Sequence, residues 1–310
     1  MSNVPQGRPV QVEGTLVESV AVGAYWHMTL LAPGVADTAR PGHFVALSIG
    51  GSETSMLLRR SFSLHRATVT DGTIEVIVAD AGPGTHWIST RRAHDTIGVV
   101  GPVGQPFPIP AEPVSCTLVG GGYGSAPLFW LAEVLRDKGC SVEVVLGAAT
   151  EQRLFDAPAA AGVPASIITT DDGSLGVHGR VTDVLPEVLA GSGASVVYAC
   201  GPMAMLQAVT DVATAHGAVA HVAVEESMAC GIGICMTCVL PVVGEDGRTR
   251  MVRSCVEGPV FRGDRVRWDA FSGGLGLVPE DAVGAPRVGP TIPVAAAPAR
   301  SDGSSVGGGT

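Results

Sequence analysis

Four cysteines near the carboxyl end carry the strongest chemical signal in this chain: Cys230, Cys235, Cys238 and Cys255. The local run C-G-I-G-I-C-M-T-C has the spacing C-x4-C-x2-C, and the fourth cysteine follows after one further hairpin's length of chain. That is the plant-type ligand spacing of a [2Fe–2S] cluster, and it differs from the paired C-x2-C units of most structural zinc sites. Gly231 and Gly233 alternate with the ligands' neighbours and let backbone N–H groups approach the sulfurs. The competing readings are a structural zinc site or buried thiols. A cluster moves one electron at a time, so the rest of the chain should contain whatever exchanges electrons with it.

Arg60-Ser61-Phe62-Ser63 lies in a strand-like stretch. The planar fork of an arginine suits a pyrophosphate, and an aromatic two residues on shares its side of the strand and can face a flavin ring. Gly82-Pro83-Gly84-Thr85 follows a strand and opens a helix at His86, where exposed amides bind phosphate; the same residues would also make an ordinary capped turn. Gly120-Gly121-Gly122-Tyr123-Gly124-Ser125 stands between a strand and a helix, where backbone can approach a dinucleotide's pyrophosphate. Ser125 takes the place of the third glycine, and no acidic residue stands at the end of the next strand. Cys200-Gly201-Pro202 closes another strand, at the kind of position where doubly wound sheets bind ligands. Cys116 and Cys140 read as core thiols, and the eight histidines show no metal-like spacing.

These residues need scaffolds of two kinds. Val10–Val17, Tyr25–Leu31, His43–Ile49, Arg60–Arg66 and Thr73–Asp80 are rich in β-branched and aromatic residues, with a tight turn expected at Asp71-Gly72, and predict a small antiparallel barrel. From Pro113 the pattern changes. Strands over Val114–Val119, Ser141–Leu146, Ser166–Thr169 and Ser195–Ala199 alternate with helical stretches over Ser125–Lys138, Thr182–Leu189 and Met203–His216, which predicts a doubly wound parallel sheet. The division expected is a flavin-binding β-barrel over 8–111, a nucleotide-binding α/β domain over 112–221, a [2Fe–2S] module over 222–270 and a disordered tail over 271–310.

The 310 residues carry a formal net charge of −10, which argues against nucleic acid and anionic membrane as partners. There is no apolar run of transmembrane length and no signal-peptide pattern, so the cytosol is the expected compartment, where seven cysteines favour metal or free thiols over disulfides.

Taken in order, the segments resemble the ferredoxin–NADP reductase superfamily. Arg60–Ser63 is similar to its R-x-Y-S flavin motif, with Phe62 in place of tyrosine; Gly84-Thr85 resembles its second phosphate motif, Gly120–Pro127 its nucleotide loop and Cys200–Pro202 its C-G-P. A closer resemblance, over about residues 10–265, is carried by Thr170–Gly176, by Glu225-Glu226-Ser227-Met228-Ala229-Cys230 with the residues up to Cys235, and by Cys255–Phe261. These look like the electron-transfer subunit of the NAD-dependent class 1B dihydroorotate dehydrogenase. The resemblance implies that Arg60, Ser61, Phe62 and Ser63 hold FAD, with Ser63 near the reactive part of its ring. It implies that Gly84 and Thr85 hold the FAD phosphates, and that Ile77, Val78 and Ala79 touch FAD through their backbone. Gly122 and Gly124 would line the NAD site, and the four cysteines would ligate the cluster. It also implies a separate FMN-bearing catalytic subunit that oxidises dihydroorotate. A reductase arm serving an oxygenase, hydrogenase or ferredoxin, and a redox-silent zinc module, are the other readings.

Overall fold

A computed structural model describes residues 8–51, 54–155, 165–272 and 275–284. Six strands close an antiparallel barrel: β1 (Val10–Val22), β2 (Tyr25–Leu31), β3 (Phe44–Leu47), β4 (Arg60–Thr68), β5 (Thr73–Ala79) and β6 (Thr96–Val103), in the order β1-β2-β5-β4-β3-β6. Period-two alternation fills the interior: Ile74, Val76 and Val78 of β5 are fully buried together with Leu16, Leu30, Leu47, Leu64 and Val99. Gly72, at φ +65° in the turn between β4 and β5, packs where a Cβ would come within 2.9 Å of Pro33 in the short helix α1 (Pro33–Ala36). The sixth strand is absent from the sequence expectation, because Gly98, Gly101 and Pro102 read as loop punctuation. In the fold Gly101 is needed for close packing, since a Cβ there would meet Val45 at 2.7 Å.

The second sheet runs β10 (Val177–His178), β9 (Ile167–Thr170), β8 (Ser141–Ala148), β7 (Ser115–Gly121), β11 (Val196–Cys200), β12 (Val219–Ala223) and β15 (Val260–Arg262). All its pairings are parallel except β12 with β15. Helix α3 (Ala126–Asp137) covers one face, burying Leu128, Phe129 and Leu135 against Leu118, Val144 and Tyr198. That same core continues into the barrel through Tyr25 and Ile77, which locks the two units together. Helices α4 (Val181–Ser192) and α5 (Met203–Ala215) cover the other face.

Two expected boundaries differ from the fold. The cut between 221 and 222 falls inside β12, and β15, from the cysteine-bearing region, completes the sheet: a strand of three residues is set by its neighbours' edge and leaves little trace in local sequence. The tail expected from 271 begins with a small hairpin, β16 (Phe271–Ser272) with β17 (Leu275–Gly276). Phe271 packs on Trp268 with ring centroids 6.0 Å apart, Arg267 pairs with Asp281 at 2.9 Å, and the Val283 N–H donates to the Thr249 carbonyl. The expectation for 285–310 lies outside the described residues. Among the described residues no helix is long and apolar enough to cross a membrane.

Candidate functional site

The cysteine module is a loop set on a hairpin. Strands β13 (Val239–Val243) and β14 (Thr249–Arg253) pair with Val239 opposite Arg253, which brings Cys238 and Cys255 side by side beyond the strand ends; the Ser254 N–H donates to the Cys238 carbonyl. Both cysteines are buried against Phe44 and Val103 of the barrel. Cys230 and Cys235 come from the preceding loop, which turns at Gly231 (φ +68°) and Gly233 (φ +84°). A Cβ on Gly233 would meet Val256 at 2.5 Å. The loop is held by Arg253, which donates to the Gly233 carbonyl at 2.9 Å and is ion-paired with Glu257. The N–H groups of Ile234 and Cys235 both point at Cys230 Sγ, at 3.4 Å.

The donor set fits a cluster. Burial and the adjacent Cys238 push the Cys255 thiol up to about 12, a cost that iron ligation removes. Hydrogen bonds from Thr237 and Cys230 bring the exposed Cys235 down to about 6. Cys238 lies beside Cys255 and Cys230 beside Cys235, with two amide donors aimed at Cys230 Sγ, as thiolate ligation favours.

Beside this module lies a cavity of about 370 Å³. Strand β4 lines it with Ser61, Phe62 and Ser63, and β5 with Ile77 and Ala79. The β4–β5 pairing stops at Leu64–Val76, so the edge of β5 from Ile77 to Ala79 turns toward the cavity instead of toward β4. Val78 itself points into the barrel core, which leaves its backbone as the part available. Phe62 is also largely committed to that core, at 9% exposure. Arg60 reaches helix α2 (Pro83–Ser89), where a Cβ on Gly84 would lie 2.8 Å from Arg60 Nε. The arginine and the helix start thus form one corner. The Thr85 hydroxyl lies on the cavity but is engaged in the turn, accepting from the Ala81 and Gly82 N–H groups.

The opposite wall of this cavity is the segment that leads into the cysteines, Val224–Met228. Glu226 there has a buried Oε1 with no hydrogen-bond partner, and burial raises its carboxyl above the ordinary range. An orphaned buried acceptor in a cavity of this shape fits a ligand with polar hydrogens along one edge, as a flavin has.

A second cavity, of about 480 Å³, opens at the carboxyl ends of β7, β8, β9 and β11. Gly121, Gly122, Arg153, Asp171, Arg180 and Met205 are among its lining residues. Gly122 lines this cavity, whereas Gly124 lines the first one, because the glycine loop crosses between the two, and a Cβ on Gly124 would lie 2.8 Å from the Cys200 carbonyl oxygen. Cys200 is 3% exposed and lines neither cavity; burial and the nearby Glu225 hold its thiol well above the usual range. It sits behind the site, in the core.

Tyr123 and Glu225 line both cavities. The Glu225 carboxylate raises the Tyr123 phenol to about 12, while burial raises Glu225. Tyr25 closes the wall, edge-on to Tyr123 at 5.9 Å. The sequence reading used Glu225 and Glu226 only as part of a resemblance and passed over Arg153, Arg180 and Tyr123 as site residues. A glutamate pair just before the first cluster ligand, and basic residues just past strand ends, are the signals that could have found them.

The sequence profile of the iron–sulfur cluster binding domain of dihydroorotate dehydrogenase B matches residues 225–267. The electron-transfer subunit of dihydroorotate dehydrogenase B (NAD(+)) from Geobacillus thermodenitrificans is 37% identical over 243 residues, covering 78% of this chain and 92% of that protein. The chain belongs to this electron-transfer subunit family. Another member, from Desulforamulus reducens, is 32% identical over 254 residues, covering 82% of this chain and 96% of that one. Among solved structures, an NADH-dependent reduced ferredoxin–NADP oxidoreductase matches with a TM-score of 0.73 at 30% identity, over 83% of this chain and 91% of that one. The ferredoxin reductase of a carbazole 1,9a-dioxygenase shares the fold, with a TM-score of 0.57 at 18% identity.

Proposed function

We propose that this chain is the electron-transfer subunit of an NAD-dependent dihydroorotate dehydrogenase. It links a separate FMN-bearing subunit, where dihydroorotate is oxidised to orotate, with NAD⁺. The observation that carries the reading is the line of three sites: the segment leading into the cysteine loop walls the flavin cavity, and the flavin cavity shares Tyr123 and Glu225 with the nucleotide cavity. The cluster supplies one-electron chemistry, and FAD converts between single electrons and the pair that nicotinamide takes.

The chain's own residues do the holding. Cys230, Cys235, Cys238 and Cys255 ligate the irons. Arg60 and the α2 start, with Gly84 and Thr85, take the FAD phosphates. Ser61, Ser63, the β5 edge and Glu226 take the ring. Gly122, Arg153 and Arg180 receive the dinucleotide phosphates. Tyr123 and Glu225 stand between the two cavities and line both. Ile232, Ile234 and Met236 expose apolar surface around Cys235, a composition that suits docking of a partner over the cluster. The acidic balance argues against nucleic acid and anionic membrane as partners.

The test is to co-express the chain with an FMN-type dihydroorotate dehydrogenase, purify the pair and measure dihydroorotate-dependent NAD⁺ reduction. Formation of a complex that reduces NAD⁺ supports the assignment. Full FAD and iron loading without complex or activity rejects it and favours a second reading. That reading is a reductase arm for another redox protein, suggested by the 30% identity to the ferredoxin–NADP oxidoreductase chain.

A further inference from the structure

The barrel face turned toward α3 carries a polar cluster that plays no part in any of the three sites. His27 of β2 and Glu75 of β5 are 2.7 Å apart, Nε2 to Oε2. His65 of β4, 1% exposed, meets them from the side, with its ring edge-on to His27 at 5.2 Å. One ligand atom from each of the three residues lies within 4.8 Å of the others. Strand pairing makes this convergence: Glu75 lies opposite Arg66, and the irregularity between Leu64 and Arg66 places His65 on the same face.

We propose that His27, His65 and Glu75 form a binding site for a divalent transition-metal ion of the zinc type, which ties the barrel strands together beneath helix α3. Three features beyond proximity favour a metal. His65 Nδ1 lies 2.6 Å from the Ala126 carbonyl oxygen. A carbonyl only accepts, so Nδ1 carries the proton and Nε2 keeps the lone pair a metal needs; a backbone carbonyl holding the far nitrogen is the usual outer partner of a ligating histidine. Phe129 and Phe155 wall the His65 ring edge-on and fix its plane. Arg66, the nearby cation, is bound by both oxygens of Glu133 on α3, so its charge is already matched.

Two neutral imidazoles and one carboxylate make a three-ligand set with a fourth position left open, a donor combination typical of zinc. The His27 and Glu75 side chains are 26% and 18% exposed, which gives the ion an entry route and a place for water. Metal–ligand bonds of about 2.0–2.2 Å put neighbouring ligand atoms roughly 3.3 Å apart, so ligation needs the His27–Glu75 pair to open by about half an ångström.

Protein carrying FAD and a full cluster, whose cysteines are then occupied by iron, is stripped of loose metal on a chelating resin and titrated with zinc chloride by calorimetry. Bound zinc is counted by mass spectrometry after gel filtration. The expected result is one zinc per chain and a higher thermal midpoint with zinc present. Glu75→Gln and His27→Gln should keep flavin and cluster absorbance but lose at least about a hundred-fold in zinc affinity, the upper end of what even an outer-shell change costs. Absorption at the zinc edge should show nitrogen and oxygen scatterers without sulfur, a readout on the unmutated protein. No zinc uptake at millimolar concentration, unaltered affinity in either variant, or sulfur in the zinc shell overturns the proposal.

Discussion

Cys235 is the exposed one of the four proposed ligands, so its replacement tests the cluster without disturbing the core. Cys235→Ser is expected to strip most iron and acid-labile sulfide while FAD stays bound at one per chain, because the flavin wall on β4 and β5 is built independently. Cys116→Ala, buried under α3, should leave the iron content unchanged. Iron content by metal analysis and flavin content by absorbance decide both. Glu226→Ala removes the orphaned acceptor in the flavin cavity. A hydrogen bond to a charged group contributes about 1.5–3 kcal/mol, so FAD dissociation from this variant should rise by about ten-fold or more, with the iron content retained. Flavin fluorescence on titrating deflavinated protein measures it, and an unchanged constant would remove Glu226 from the site.

At the scale of elements, the glycine loop between β7 and α3 is the part that serves both cavities. It is tied at Ser125, whose hydroxyl lies 2.7 Å from the Phe155 carbonyl, and it passes so close to the end of β11 that a Cβ on Gly124 would lie within 2.9 Å of backbone atoms of Cys200 and Gly201. Gly124→Ala is therefore expected to destabilise the protein by about 1–3 kcal/mol, the range of overpacking, and to weaken FAD and NAD(H) together. Urea unfolding and the two ligand titrations check this; loss of one ligand alone would mean the loop does not bridge the cavities. Much of this level was legible in sequence. Strands Tyr25–Leu31 and Thr73–Ala79 and helix Met203–Ala215 stand out because each carries its period locally and buries one face. Strands β6 and β15 did not, because their pairing partners, not their own composition, make them strands. The place of Gly124 beside the first cavity and not the second is hidden for the same reason, since a loop motif states that backbone comes close to a ligand and not which one.

At the scale of the molecule, buried histidines outside the redox site, His43 and His221 among them, tie stability to pH. Burial lowers His43 and His221 to about 4. A histidine held neutral in the fold, with an ordinary value when unfolded, contributes stability that is complete above about pH 6.5 and is lost as pH falls toward 4. Acid should therefore weaken the fold over that window. His221→Phe keeps the stacking on Tyr198 at 5.7 Å and removes the titration, so its unfolding free energy should fall less between pH 7 and pH 4.5 than that of the parent. Parallel slopes in urea titrations at the two pH values would show that His221 does not carry the effect. The sequence by itself determined the chemistry that the chain can hold: four thiols at cluster spacing, an arginine strand, glycine loops after strands, and a barrel followed by a doubly wound sheet. Each of these is written within a few neighbouring residues, where side-chain type and periodicity act directly on local conformation. Only the tertiary structure decided what those pieces face. It joined the two cavities at Tyr123 and Glu225, sealed Cys200 into the core, left a buried Glu226 oxygen without a partner on the wall of the first cavity, and assembled His27, His65 and Glu75 from three strands. Such meetings depend on strand register and domain packing, which sum many weak contacts over the whole chain and leave no signature at any one position.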